Sequence, residues 1–208
     1  LIISIITTRP EMLRDLYNDL SKKLVSRFKE RENKIKSLVF DCFSILLKTT
    51  TVQNSFDNES QTDYSLSVPD LMKRRSSTEE LFAQVPAIVK SLLKETSNKN
   101  LQVKISLLEC LSQMANALRD TLDPFFPDIL PILNAGVIGE SNIAIILPSL
   151  ATLKTMLQYT KKSSDYNKFS DEIFEIIMEG LRNESFSIKG EALLVTSSFT
   201  IVLKGFIK

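Results

Sequence analysis

The chain has 208 residues, with 26 Lys plus Arg against 25 Asp plus Glu and a formal net charge of +1. No global field therefore draws it to nucleic acid or to an anionic membrane, and any recognition must be local. It contains no His, which removes the commonest general base, the commonest metal ligand and the usual histidine-containing catalytic triads. With five Gly in all, a Gly-rich phosphate loop has no residues from which to be assembled.

Leu1, Ile2, Ile3, Ile5 and Ile6 read as the end of a helix whose earlier turns are absent, with neither an initiator Met nor a signal-peptide pattern. Together with the stop at Ile207-Lys208, this predicts an intracellular piece of a longer stack of helices. A first helix pair is expected over about 10–49, with its break near Glu32-Asn33. The segment 50–76 then interrupts the pattern. Thr49-Thr50-Thr51, Asn54, Asp57-Asn58, Ser60, Asp63 and Pro69-Asp70 make it polar and turn-rich, so it is expected to be an insertion loop, mobile in part.

A second pair over 77–119 opens with Ser77 and Glu80 spaced as a capping box. Leu81, Val85, Ile88 and Leu92 supply its core stripe, and Pro86 should kink its first helix. The third pair, 122–160, has Pro127 at a nearly equivalent place, and Pro148 is expected to delay or kink its second helix. In the fourth pair, 165–204, Phe169, Ile173, Ile176, Ile177, Gly180 and Leu181 share one helical face, opposite Asp171, Glu175, Glu179 and Arg182. Its partner helix from about Phe186 is apolar over much of its circumference. The apolar runs still fall short of the roughly 20 residues of a membrane span, which predicts a soluble chain.

The breaks at Asn98-Lys99-Asn100, Gly139-Glu140-Ser141-Asn142 and Arg182-Asn183-Glu184-Ser185 recur at 42 and 43 residues, counted from Asn100 to Asn142 and from Asn142 to Ser185. That is the period of HEAT-type repeats, roughly 40–47 residues. The fold class is therefore all-α, an α-solenoid of HEAT-type antiparallel helix pairs. Such a stack works through a long surface and not through a pocket.

The constellations with chemical potential are few. Cys42 and Cys110 are the only thiols, and each lies six residues after a Lys, Lys36 and Lys104, at one repeat position. That register predicts packing residues and not a metal site or disulfide. Glu79-Glu80 and Asp171-Glu172 sit at helix starts, where the macrodipole favours negative charge. Lys73-Arg74-Arg75-Ser76-Ser77 reads as a solvated loop end, with a basic import or kinase-recognition segment as the alternative. Lys36, Lys104 and Lys189 share a position beside the inter-helix turn, where a basic side chain is expected to bond within the stack.

No catalytic, cofactor or metal residue is expected. The candidate partner-facing stripe runs along the polar side of the second helices: Asp41, Ser44 and Lys48, with Ser37, on the first pair; Glu109, Ser112 and Asn116 on the second; Lys154 and Gln158 on the third.

The run Arg9-Pro10-Glu11-Met12-Leu13, and the longer one from Leu24-Val25-Ser26-Arg27-Phe28 through Lys29-Glu30-Arg31-Glu32-Asn33-Lys34-Ile35-Lys36, resemble the cullin-associated, neddylation-dissociated (CAND) family. Gln84-Val85-Pro86-Ala87-Ile88-Val89-Lys90 and Lys189-Gly190-Glu191-Ala192-Leu193-Leu194-Val195-Thr196 extend the resemblance to nearly the whole chain. The resemblance implies an interior segment of a long protein that wraps a cullin and its RING subunit in the cytoplasm and nucleus. It further implies binding to unmodified cullin and exchange of substrate receptors on the ubiquitin ligase, with no cofactor, nucleic acid, membrane or small-molecule substrate. The family's receptor-displacing hairpin has no counterpart here, so no functional residue is carried over, and this segment alone is not expected to exchange receptors. A HEAT-repeat nuclear transport receptor, or another HEAT-repeat scaffold, is the alternative reading.

Overall fold

In the computed structural model the described residues are Ser4, 13–59, 83–161 and 166–204. The candidate capping box at Ser77 and Glu80, the Glu79-Glu80 pair, the basic run at Lys73, the apolar start and the segment 60–76 lie outside them. The first pair consists of α1 (Leu13–Ser26), a 3-10 turn (Arg27–Lys29) and α2 (Asn33–Glu59). Its hinge is aromatic. Phe28, 1% exposed, meets Phe40 and Phe43 edge-on at centroid distances of 4.9 and 5.3 Å, the geometry that the ring quadrupoles favour.

The second pair joins a helix described over 83–95 (α3) to α4 (Leu101–Leu118). The third joins α5 (Phe126–Ala135) to α6 (Ile143–Tyr159), and the fourth α7 (Ser170–Arg182) to α8 (Phe186–Lys204). The second helices begin at Leu101, Ile143 and Phe186, so the interval read from the polar breaks is the interval of the helices. Each break also has a local cause. Asn100 accepts the Val103 N–H at 3.1 Å and Asn142 the Ala144 N–H at 2.9 Å, both as N-caps that satisfy an orphan amide. Asn183 accepts the Ser185 N–H at 2.9 Å and tightens the last turn.

The second helices pack on one another in chain order, α2 on α4, α4 on α6 and α6 on α8, while α1, α5 and α7 pack on the second helices of their own pairs. One continuous core runs from Leu24 to Val202, as expected when each repeat buries its apolar face on its neighbours. Two glycines mark close approach. A Cβ at Gly136 would clash with the Ser149 hydroxyl, and one at Gly180 would lie 2.9 Å from the Ala192 Cβ. Gly180 thereby lets α7 sit close against α8.

The structure corrects four expectations. Helix α2 continues to Glu59, so the first part of the 50–76 segment is helical and not loop. Pro127 lies in the first turn of α5, where its missing N–H has no intrahelical acceptor to lose; the bend before it is a 3-10 segment, Arg119–Phe125. Pro148 neither delays nor divides α6, which starts at its Asn142 cap and runs unbroken to Tyr159. Finally, α8 is long and apolar enough to cross a membrane by length and composition. Much of that apolar character is used in packing, because Ile188, Ala192, Val195, Phe199 and Val202 enter the core.

Candidate functional site

The inter-helix turns carry a ladder of charge. Lys36 Nζ lies 2.6 Å from Glu95 Oε1, with side chains 9% and 16% exposed, and so ties the first pair to the second. Glu95 Oε2 accepts from Asn98 Nδ2 at 2.8 Å, and that amide also reaches Asn33 Oδ1 at 3.2 Å. One repeat on, Lys104 Nζ lies 3.5 Å from Glu140 Oε2. The other oxygen of Glu140 accepts the N–H groups of Ser141 and Asn142 at 2.9 and 3.0 Å. The Asn142 amide, helped by Ser141 and by Lys104, holds the Glu140 carboxyl below its ordinary value against the opposing effect of burial.

The third pair breaks this ladder, because Ile146 stands where Lys36 and Lys104 stand in theirs, and it is buried. Other contacts join the third pair to the fourth. Asp123, 4% exposed, accepts from the Tyr166 hydroxyl at 2.8 Å, the Thr160 hydroxyl at 3.0 Å and the Lys161 N–H at 3.2 Å. Tyr166 lies on Phe126 with ring centroids 4.0 Å apart. Beside it the Lys161 ammonium is 2.7 Å from Asp120 Oδ2, and its hydrogen bond lowers the Asp120 carboxyl. Sequence reasoning missed this network, since neither Asp123-Pro124 nor an isolated Tyr in a linker signals a partner some 40 positions away.

The candidate stripe divides when placed on the structure. Lys48, Glu109 and Gln158 are exposed, while Asp41, Ser112, Asn116 and Lys154 are half-buried. Ser44 is not available to a partner. It is 4% exposed and gives its hydroxyl to the Phe40 carbonyl at 2.9 Å, between α2 and α4. Asn116 donates to the Ser112 carbonyl at 3.0 Å, and Glu109 accepts from Gln113 at 2.9 Å. Lys154 is held by Glu191 of α8 at 2.5 Å, so it closes the α6–α8 seam as much as it faces outward.

Cys110 is fully buried and Cys42 half-buried, both as free thiols. Burial pushes the Cys110 thiol far up, opposed by the neighbouring Ser44 side chain and reinforced by Glu109 and Asp41. Asp41 belongs to α2 and Glu109 to α4, the two helices that pack on each other there. Burial, with Asp41 next, also raises Cys42. The two thiols differ because α4 has second helices on both sides, whereas among the described elements α2 has one on a single side. Nucleophilic chemistry finds little support in thiols kept this protonated.

Among the described residues no group of three or more Cys, Asp or Glu is placed to hold a metal ion. A groove of about 260 Å³ lies between α3 and α5, lined by Pro86, Val89, Lys90, Leu93, Phe125 and Asp128. It has no nucleophile beside a base. What the arrangement offers is a set of exposed and half-buried polar side chains on neighbouring second helices.

No protein-family model matches the chain. It is 26% identical over 201 residues to a Drosophila melanogaster protein named cullin-associated NEDD8-dissociated protein 1, covering 96% of this chain and 15% of the relative. The protein of that name from Dictyostelium discoideum is 26% identical over 200 residues, with the same coverage. The mouse cullin-associated NEDD8-dissociated protein 2 is 23% identical over 201 residues, covering 92% and 15%. The chain thus spans about 15% of the length of the curated relatives it matches. An engineered protein of known crystal structure superposes with a TM-score of 0.54 at 11% identity, over 97% of this chain and 96% of its own, which supports the helical-repeat fold alone. Over nearly its whole length the chain is similar to the cullin-associated NEDD8-dissociated proteins, and it is folded as a stack of helix pairs.

Proposed function

We propose that this chain is a non-catalytic scaffold segment that binds a cullin, within a protein that regulates assembly of cullin-RING ubiquitin ligases. The observation that carries the reading is the row of second helices packed on one another in a chain similar to proteins named for cullin association. Asp41 and Glu109 lie on two neighbouring helices of that row and Lys48 projects from the same helix as Asp41. A partner with basic residues opposite the two carboxylates complements that surface.

The finer reading is that the cullin is bound in its unmodified form, together with its RING subunit, and that the longer protein promotes substrate-receptor exchange by overlapping binding in the cytoplasm and nucleus. Displacement of this kind makes and breaks no covalent bond. The test is a binding titration of the chain against a cullin–RING complex, with and without covalently attached NEDD8, and against a GTP-loaded transport GTPase. Saturable binding to the unmodified complex alone is expected. Binding to the GTPase and not to the cullin would replace this reading with that of a transport receptor.

A further inference from the structure

Arg119 is the one non-glycine residue with a positive φ among the described residues. It directly follows α4, at φ 50 and ψ −127, a conformation that crowds a side chain against its own backbone and that glycine usually fills. Keeping Arg there strains the backbone and fixes the direction in which the side chain leaves it. That direction leads to Tyr159, the last residue of α6. The guanidinium carbon lies 4.9 Å from the ring centroid, within the range of a cation–π contact.

The stacked pair stands open to solvent, with Arg119 exposed and Tyr159 38% exposed. Among the described residues no carboxylate lies within ion-pair distance of the guanidinium, and it donates to no other side chain. The two carboxylates that follow Arg119 in the chain are already engaged. Asp120 pairs with the Lys161 ammonium at 2.7 Å, and the buried Asp123 accepts from the Tyr166 hydroxyl, the Thr160 hydroxyl and the Lys161 N–H. Thr160 and Lys161 directly follow Tyr159, so Asp123 also tethers the end of α6 on which the ring sits. The result is a positioned guanidinium whose charge is unspent.

We infer that Arg119, held over Tyr159 where α4 packs on α6, receives an Asp or Glu side chain of the protein partner. The inference rests on the cullin-binding reading and adds one located contact to it. A guanidinium offers a planar fork that takes a carboxylate through two parallel bonds, and stacking on a ring orders that fork before binding. Arg and Tyr are also enriched among the residues that dominate interface energetics. A single fork beside Asp120 suits the one charge of a carboxylate better than the roughly two charges of a phosphate. The partner surface accordingly carries an acidic side chain at this junction and basic ones opposite Asp41 and Glu109.

Calorimetric titration with an unmodified cullin–RING complex, together with thermal melting of each free variant, tests this. Arg119→Gly removes the fork and suits the positive φ. Its melting temperature should equal or exceed that of the wild type, while its affinity falls by about tenfold or more. Arg119→Lys keeps the charge without the fork and should lose about three- to tenfold. A loss below about threefold for Arg119→Gly overturns the inference and leaves the cullin reading intact. So does an affinity loss accompanied by a melting temperature below that of the wild type, the mark of a stack that only braces α4 on α6. A wild type that binds no cullin overturns that reading and this contact together.

Discussion

The Lys36 ammonium and the Glu95 carboxylate, 59 positions apart in the chain, meet at 2.6 Å with both side chains largely withdrawn from water. Partial burial makes the pair costlier to break than an exposed one, because removing either charge strands the other. A double-mutant cycle with Lys36→Met and Glu95→Gln, read by urea denaturation, should give a coupling of about 1–3 kcal/mol. A coupling near zero would mean that packing alone sets the register of the first two pairs.

Asp123 is the corresponding tie between the third and fourth pairs. Its carboxylate serves three donors in a site 4% exposed. Asp123→Ala leaves the Tyr166 hydroxyl and the Lys161 amide without their acceptor and should cost about 2–4 kcal/mol. Tyr166→Phe removes one bond and should cost about 1 kcal/mol. Chemical denaturation monitored by circular dichroism measures both.

Acid sensitivity follows from two carboxylates. Glu140 and Asp120 both titrate below their ordinary values when folded, Glu140 chiefly through the Asn142 amide and Asp120 chiefly through Lys161. A folded pKa below the unfolded one means that the unfolded chain takes up protons first. Their stabilisation is therefore complete above the ordinary carboxylate range and is lost as pH falls from that range through the folded values. Melting temperature against pH should decline there, and the double variant Asp120→Asn, Glu140→Gln should flatten the decline.

Gly180 tests the helix spacing of the fourth pair. A Cβ there would sit 2.9 Å from that of Ala192 on α8, and both belong to helix backbones that cannot swing aside. Gly180→Val should lower stability by about 1–3 kcal/mol through overpacking, measured by urea denaturation. Gly190→Ala, in open space, should be neutral or slightly stabilising because it favours the helix.

The positions of the second helices were legible because the signals are local: a polar break, an Asn that caps and an apolar stripe that starts within a turn. The buried packing role of Cys110 was legible from register. Ser44 was not, because a Ser that bonds the Phe40 carbonyl four residues back satisfies its hydroxyl within its own helix and becomes fit for burial. The prolines misled for a related reason. Their cost depends on where a helix starts, and the starts of α5 and α6 were set by a 3-10 approach and an Asn cap. The Asp123 network was illegible because its donors lie far along the chain. For the candidate stripe, sequence named the helices that carry its residues but not which side chains the seams between them enclose.

The most direct test of the proposed cullin-binding surface is a calorimetric titration of an unmodified cullin–RING complex into the wild-type chain and two variants. The double charge reversal Asp41→Lys, Glu109→Lys alters neighbouring second helices, and Phe174→Ser alters an exposed, 57% accessible position on the first helix α7. The second-helix reading predicts at least about a tenfold loss of affinity for the charge reversal and wild-type affinity for Phe174→Ser. Unchanged binding by the charge reversal, or loss confined to Phe174→Ser, would contradict it.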